Sequence, residues 1–302
     1  MLKNFQPTRK GKAPVNDIEI YFEAFGEPSN PALVFVCGLD QQSVLFSDEI
    51  IQPFVEARLY VIKFDNRDTG HSTWMNSSWH KSKPYTLEDM ATDAVGLLDY
   101  LNIQKAHFIG VSMGGMIAQR IAISHADRVL TLMSLISSGY AMNIKGAKSF
   151  LFKATAFLTP FLIKRQFVKN RFMSRKITVE SYVKIYGFLN GKKHPYDEER
   201  FRMLFTEAIE KRHGQNPNAL YHQFFAIVAS GSRLEEMHKI KAPTLVIHGT
   251  NDPLVHVNHA KIYAPLIPRS RLVLIDGMGH GLPKTVMPQI VSEVLSHIRQ
   301  KL

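Results

Sequence analysis

Ser112, Asp252 and His280 are of the three types that together make a serine hydroxyl nucleophilic. A hydroxyl is a weak nucleophile at neutral pH. A histidine must take its proton, and a carboxylate must fix the imidazole tautomer and stabilise its cationic form. Ser112 lies in Gly110-Val111-Ser112-Met113-Gly114, followed by Gly115; Asp252 lies in Gly-Thr-Asn-Asp-Pro, and His280 in Gly-Met-Gly-His-Gly. Such a set would attack an acyl carbon, hold the acyl group on Ser112 and release it to a water that His280 activates.

That chemistry needs elements that bring three distant residues together. Phe108 to Val111 is a short apolar run of strand character, and Met116, Ile117, Ile121 and Ile123 recur beyond it over a helical length. Strand, Gly-x-Ser-x-Gly and helix make a nucleophile elbow, whereas the pentapeptide alone would fit a Gly/Ser turn in any α/β protein. The elbow crowds its neighbours, so Gly110 and Gly114 are required, and it aims the Met113 N–H at a developing oxyanion. A second backbone donor is expected from the loop after the Leu33–Cys37 strand, where the N–H of Leu39 follows Gly38. Asp252 follows a Thr244–His248 strand and His280 an Arg271–Ile275 strand, so both stand in loops beyond strand ends. His248, at a strand end, His256 and His259, near a helix start, and His71, in a loop, read as structural or exposed. Asp276 is too close in sequence to His280 to reach its Nδ1 easily. The bland reading of Asp252 is a turn or helix-capping aspartate before proline.

Along the chain, Val15 to Phe25 alternates as a half-buried strand does, and Gly26 to Pro31 is a turn. A helix is expected near Ser47 to Arg58, a buried strand from Leu59 to Phe64, and a loop from Asp65 to Ser72. Leu87 to Leu101 has helical spacing, and Val129 to Ile136 is the next strand. Gly139 to about His238 has no convincing strand and reads as helices. The alternation then resumes, with a helix near Asn258 to Leu266 and a last one from Val286 to about Lys301. Strands alternating with helices imply a mostly parallel sheet with right-handed crossovers. The domain reading is a core of residues 1–138 and 239–302, with the helical block 139–238 inserted over the carboxyl edge of the sheet.

The 302 residues are 45% apolar, enough for a sizeable core. No apolar run is long enough to span a bilayer, and none follows the basic N-terminus, which reads as a short tail before the first strand. The single cysteine, Cys37, excludes an intramolecular disulfide and suits a reducing compartment or a fold that does not rely on disulfides; a cytoplasmic location is expected. The net charge is +11. Tyr140 to Glu235 carries seventeen Lys/Arg against seven Asp/Glu, so nearly all of it sits in the helical block. No nucleic-acid-binding motif accompanies these charges, and no nucleic-acid partner is expected. His and acidic residues do not recur at metal-ligand spacing, and no phosphate loop is present; neither metal nor cofactor is expected. Phe150, Phe152, Phe157, Phe161 and Phe167 crowd the lysine- and arginine-edged stretch 149–170. Two readings stand: a helix packed by its apolar face under a solvated basic face, or an apolar tunnel wall whose basic outer face meets anionic ligands or lipid headgroups.

These motifs resemble those of the α/β-hydrolase superfamily, serine-nucleophile branch, over essentially the whole chain. Cys37-Gly38-Leu39, Asp65-x-Arg67-Asp68-x-Gly70-x-Ser72, Gly110-x-Ser112-x-Gly114-Gly115 and the Asp252/His280 pair carry the likeness. Asp-Asn-Arg-Asp-Thr-Gly-His-Ser with Gly-Met-Gly-His-Gly-Leu-Pro is most similar to the aclacinomycin methylesterase group. The resemblance implies a mostly parallel eight-stranded sheet flanked by helices, a helical cap after the sixth strand, and cofactor-free cleavage of carboxylic esters. It matches the chain order Ser112, Asp252, His280 and makes Leu39 and Met113 the oxyanion donors. Many relatives have His-Gly where this chain has Cys37-Gly38. The donor is backbone, so activity should survive, but the loop's side-chain support changes; Cys37 itself reads as apolar filler. Met113 after the serine weakens a peptidase reading, and a serine at the elbow disfavours dehalogenase or epoxide hydrolase chemistry. The partner expected is a small, apolar ester. Other serine-triad reactions (C–C bond, amide or lactone hydrolysis, perhydrolysis) and a ligand-binding receptor on the same fold are the alternatives.

Overall fold

In the computed structural model, residues 5–140 and 178–300 are described. Eight strands form one sheet: β1 Arg9–Val15, β2 Ile18–Phe25, β3 Ala32–Val36, β4 Tyr60–Phe64, β5 Ala106–Val111, β6 Val129–Leu135, β7 Thr244–Gly249 and β8 Ser270–Ile275. Their order is β1-β2-β4-β3-β5-β6-β7-β8. From β4 onward all neighbours are parallel; β1 and β2 are antiparallel to each other, and β2 is antiparallel to β4.

One expectation fails here. The basic N-terminus is no tail: Arg9–Val15 is β1, and the hairpin turns at Asn16, a left-handed residue with φ 53°. The strand expected from Val15 to Phe25 is the second arm of that hairpin. Only Ala13 and Val15 of β1 are fully covered, so the alternation that marks a strand is nearly lost in the lysines and arginine beside them.

The central strands β3, β4, β5 and β7 are buried throughout, because helices cover both faces. On one face α2 (Leu87–Tyr100) and α3 (Met113–Ser124) pack Leu97, Leu98, Ile117 and Ile121 against Val34, Ile62 and Phe108. On the other, α1 (Asp48–Glu56) sets Ile51 and Phe54 against Phe35, Val61 and Ile109. Helix α2 starts at a capping box: Thr86 Oγ1 accepts the Asp89 N–H, and Asp89 accepts the Thr86 N–H at 2.7 Å.

Between β6 and β7 the described residues hold no strand. They form α4 (Val179–Leu189), α5 (Glu198–Thr206), which widens into a π turn over Glu207–Lys211, and α6 (Ala219–Ser230). Helices α4 and α5 have an apolar cluster of their own, in which Tyr182, Tyr186, Leu189, Phe201 and Phe205 meet. The Phe-rich stretch 149–170 lies outside the described residues. Helices α7 (Asn258–Tyr263) and α8 (Met287–Arg299) complete the chain, α8 covering the same face as α1 through Ile290, Val294 and Ile298. Among the described residues no helix is long and apolar enough to cross a membrane.

Because β3, β5, β7 and β8 run parallel, the loops that follow them open at one edge of the sheet. Leu39, Ser112, Asp252 and His280 all stand in or beside those loops.

Candidate active site

Ser112 is held at φ 56°, ψ −118°, between the end of β5 and the first residue of α3. That conformation is strained for a residue with a side chain and persists only where neighbours enforce it. Its N–H donates to Leu135 O at 2.9 Å, and its carbonyl accepts the Ser137 hydroxyl at 2.7 Å. The turn leaves no room beside it. A Cβ on Gly110 would stand 2.2 Å from Gly114 O, and one on Gly114 would stand 2.0 Å from Val36 O. The second contact also shows that the start of α3 lies against the end of β3, from which the Gly38-Leu39 loop departs.

The structure brings Ser112, His280 and Asp252 together. His280 Nε2 is 3.0 Å from Ser112 Oγ, and His280 Nδ1 is 2.7 Å from Asp252 Oδ2. A carboxylate only accepts, so Nδ1 carries the ring proton and Nε2 is left to accept from the serine hydroxyl. All three side chains are buried. Asp252 Oδ1 accepts the N–H groups of Leu254 and Val255, each at 2.8 Å. Burial opposes its charge, but His280, His248 and the Val255 N–H outweigh that and hold Asp252 below the usual carboxylate range. Asp252 therefore remains an anion facing the imidazole.

The other histidines and acids have other partners. Asp276, exposed, accepts from Lys193, and the carboxylate that faces the His280 ring is that of Asp252. His248 puts Nε2 2.7 Å from Val255 O and 3.5 Å from Asp252 Oδ2, and burial pushes its pKa down. His259 places Nδ1 2.7 Å from the Ser138 hydroxyl and stacks on Tyr140; burial pushes it down to about 4. The Cys37 thiol is fully buried 3.5 Å from Phe64 O, and burial raises its pKa well above the ordinary value. A neutral thiol without a base is apolar filler. Among the described residues no group of three or more His, Cys, Asp or Glu is placed to hold a metal.

The loop after β3 is built largely by the helices between β6 and β7. The Gly38 N–H donates to Gln41 Oε1 at 2.9 Å, and Gln41 Nε2 donates to the Tyr186 oxygen at 2.6 Å. Asp40 is left-handed, with φ 61°. Its N–H donates to Gln223 Oε1 at 2.7 Å, and its carboxylate accepts from Tyr182 and Gln215, both at 2.6 Å. Gln42 Nε2 donates to Ala208 O in the π turn at 3.0 Å. Below, Arg212 donates to the fully buried Asp65 at 2.8 Å. The sequence gives no pairing signal for the contacts between this loop and the helices, because each of them joins residues more than 140 positions apart.

A single α/β sheet with a serine elbow, a buried imidazole and a carboxylate at its carboxyl edge defines a class, and the comparisons agree. The chain belongs to the α/β hydrolase fold family, whose match spans residues 31–284. It is 26% identical over 292 residues to rhodomycin D methylesterase of Streptomyces peucetius, covering 94% of this chain and 96% of that protein. It is 27% identical over 256 residues to a poly(3-hydroxyalkanoate) depolymerase of Ectopseudomonas oleovorans, covering 84% and 81%. An enol-lactonase structure from Burkholderia xenovorans superposes with a TM-score of 0.73 at 22% identity, over 96% of this chain and 100% of that one, which shows the shared fold.

Proposed function

We propose that the chain is a cofactor-independent serine hydrolase acting on carboxylic esters, with methyl esters and esters of small to medium hydrophobic acids as substrates. The observation that carries this is the unbroken contact from Ser112 Oγ through both ring nitrogens of His280 to Asp252. The methylesterase similarity over almost the whole chain supports the bond type. In acylation His280 Nε2 takes the Ser112 proton as Oγ attacks the ester carbonyl carbon. The N–H groups of Leu39 and Met113 donate to the oxyanion, and Asp252 stabilises the imidazolium. Collapse of the tetrahedral intermediate expels the alcohol, which takes the proton from His280. Water, deprotonated by the same nitrogen, then frees the acid and restores Ser112.

In this reading the helices of 139–238 form a cap over a core made by 1–138 and 239–302, and the acyl pocket is apolar. A buried, unpaired cysteine is compatible with a cytoplasmic enzyme. The test is a series of methyl and p-nitrophenyl esters with acyl chains of roughly two to eight carbons. Turnover of the short and medium apolar members is expected. Activity on amides or C–C substrates with none on any ester would sink the proposal.

A further inference from the structure

Tyr182, Tyr186 and Leu189 stand at i, i+4 and i+7 on α4, so they share one face of the helix. That face touches two loops on opposite sides of Ser112. The Tyr182 hydroxyl donates to Asp40 at 2.6 Å, and the Tyr186 oxygen accepts from Gln41 at 2.6 Å. At the last turn the Leu189 carbonyl accepts the N–H of His280 at 2.6 Å and of Gly281 at 3.2 Å. Helix ends leave such carbonyls without intrahelical partners, and here the histidine loop satisfies one.

The Gln41 amide has only one workable orientation. The Gly38 N–H must donate, so Oε1 faces it and Nε2 is turned to Tyr186. Gln41 thus passes the position of Tyr186 to the backbone next to Leu39. It supplies side-chain support to the loop that carries the Leu39 N–H. The sheet fixes only the strand ends; the two loops beyond them gain a set separation only if something rigid spans them. A misplacement of about 1 Å between base and donor is enough to cost two orders of magnitude in rate.

We propose that α4 is that span. Tyr182 and Tyr186, acting through Asp40 and Gln41, are positioning residues for the Leu39 N–H, and the Leu189 carbonyl positions His280. The helical segment then serves transition-state stabilisation and not only admission of substrate. The proposal rests on the ester-hydrolase reading and deepens it.

Tyr186→Phe tests it, because it removes one oxygen and keeps the ring that packs on Phe201 and Phe205. The expected result is a fall of about tenfold in kcat with KM nearly unchanged, a part of what a full oxyanion donor contributes. The pH profile should keep its shape, since the His280–Asp252 contact is untouched. Gln41→Met should show the same loss, and Tyr186→Phe with Gln41→Met should be no worse than Gln41→Met alone, because both act through one chain of bonds. Hydrogen exchange at the Gly38 amide should quicken several-fold in either variant. Wild-type kcat, or a change in KM alone, in variants that melt like the wild type would overturn the proposal. The exchange measurement needs no substrate. If the wild-type protein turns over no ester, the reading of the site fails, while unchanged Gly38 exchange in Tyr186→Phe still decides against α4. Should Tyr186→Phe not fold, Gln41→Met carries the same kcat and exchange outcomes.

Discussion

Asp252 decides the protonation pattern of the site. Its carboxylate is enclosed, yet three groups donate to it, so its charge persists at pH values where an ordinary aspartate would be half protonated. Asp252→Asn keeps the size but offers an N–H₂ or a carbonyl to His280 Nδ1, which can invert the tautomer. We expect kcat to fall by about four orders of magnitude with little change in KM, read by steady-state ester hydrolysis. A loss confined to KM would mean that Asp252 binds substrate instead of orienting the base. Ser112, Asp252 and His280 were legible because their chemistry restricts residue type and because each follows a strand. His248, 3.5 Å from the same carboxylate, was legible only as a structural residue; no spacing rule says that its ring would turn back to Asp252.

The elbow and the helices above it succeed or fail as elements. Gly114→Ala would drive a methyl group into the Val36 carbonyl, which belongs to a rigid central strand and cannot give way. Urea unfolding should show a loss of at least about 2 kcal/mol, and α3 would have to retreat from the Gly38-Leu39 loop. Unchanged stability would show that the approach of α3 to β3 is looser than described. Arg212 offers a second case. Arg212→Met leaves Asp65 buried, still accepting the N–H groups of Ser43 and His71 but without its cation. Removing one member of a buried pair costs about 3–5 kcal/mol, so this variant should melt well below the wild type. The central strands were readable because helices cover both faces and make each an unbroken apolar run. Strand β1 was not, because an edge strand with one half-covered face can carry lysines and even Pro14 without losing its pairing. Helix α4 shows the limit from the other side: nothing in its sequence says that the oxygens of Tyr182 and Tyr186 reach Asp40 and Gln41.

The whole molecule carries its own pH signature. His107, enclosed between β5 and β6, hydrogen-bonds Thr131 at 2.8 Å; burial, with His297 nearby, pushes it from 6.5 down to about 4. The unfolded chain therefore binds a proton between these values that the folded chain does not. The contribution of His107 to stability is complete above the unfolded pKa and is lost as pH falls toward 4. Between pH 7 and pH 4.5 that loss is about 2 kcal/mol. His259 and His248, also depressed by burial, keep their share in any His107 variant. Urea titrations at both values should therefore show a loss smaller by about 2 kcal/mol in His107→Asn than in the wild type, whereas equal pH dependence in the two proteins would rule His107 out as a source. The basic charge of 139–238 was legible as a sum, but not as a surface, since a charge count does not say which way side chains point.

The claim that joins these scales is that Ser112 attacks an ester carbonyl. It is tested most directly by p-nitrophenyl butyrate hydrolysis in the wild type and in Ser112→Ala at equal folded concentration. We expect Ser112-dependent turnover that drops by about six orders of magnitude, to background, in Ser112→Ala. Turnover by Ser112→Ala at the wild-type rate would contradict it.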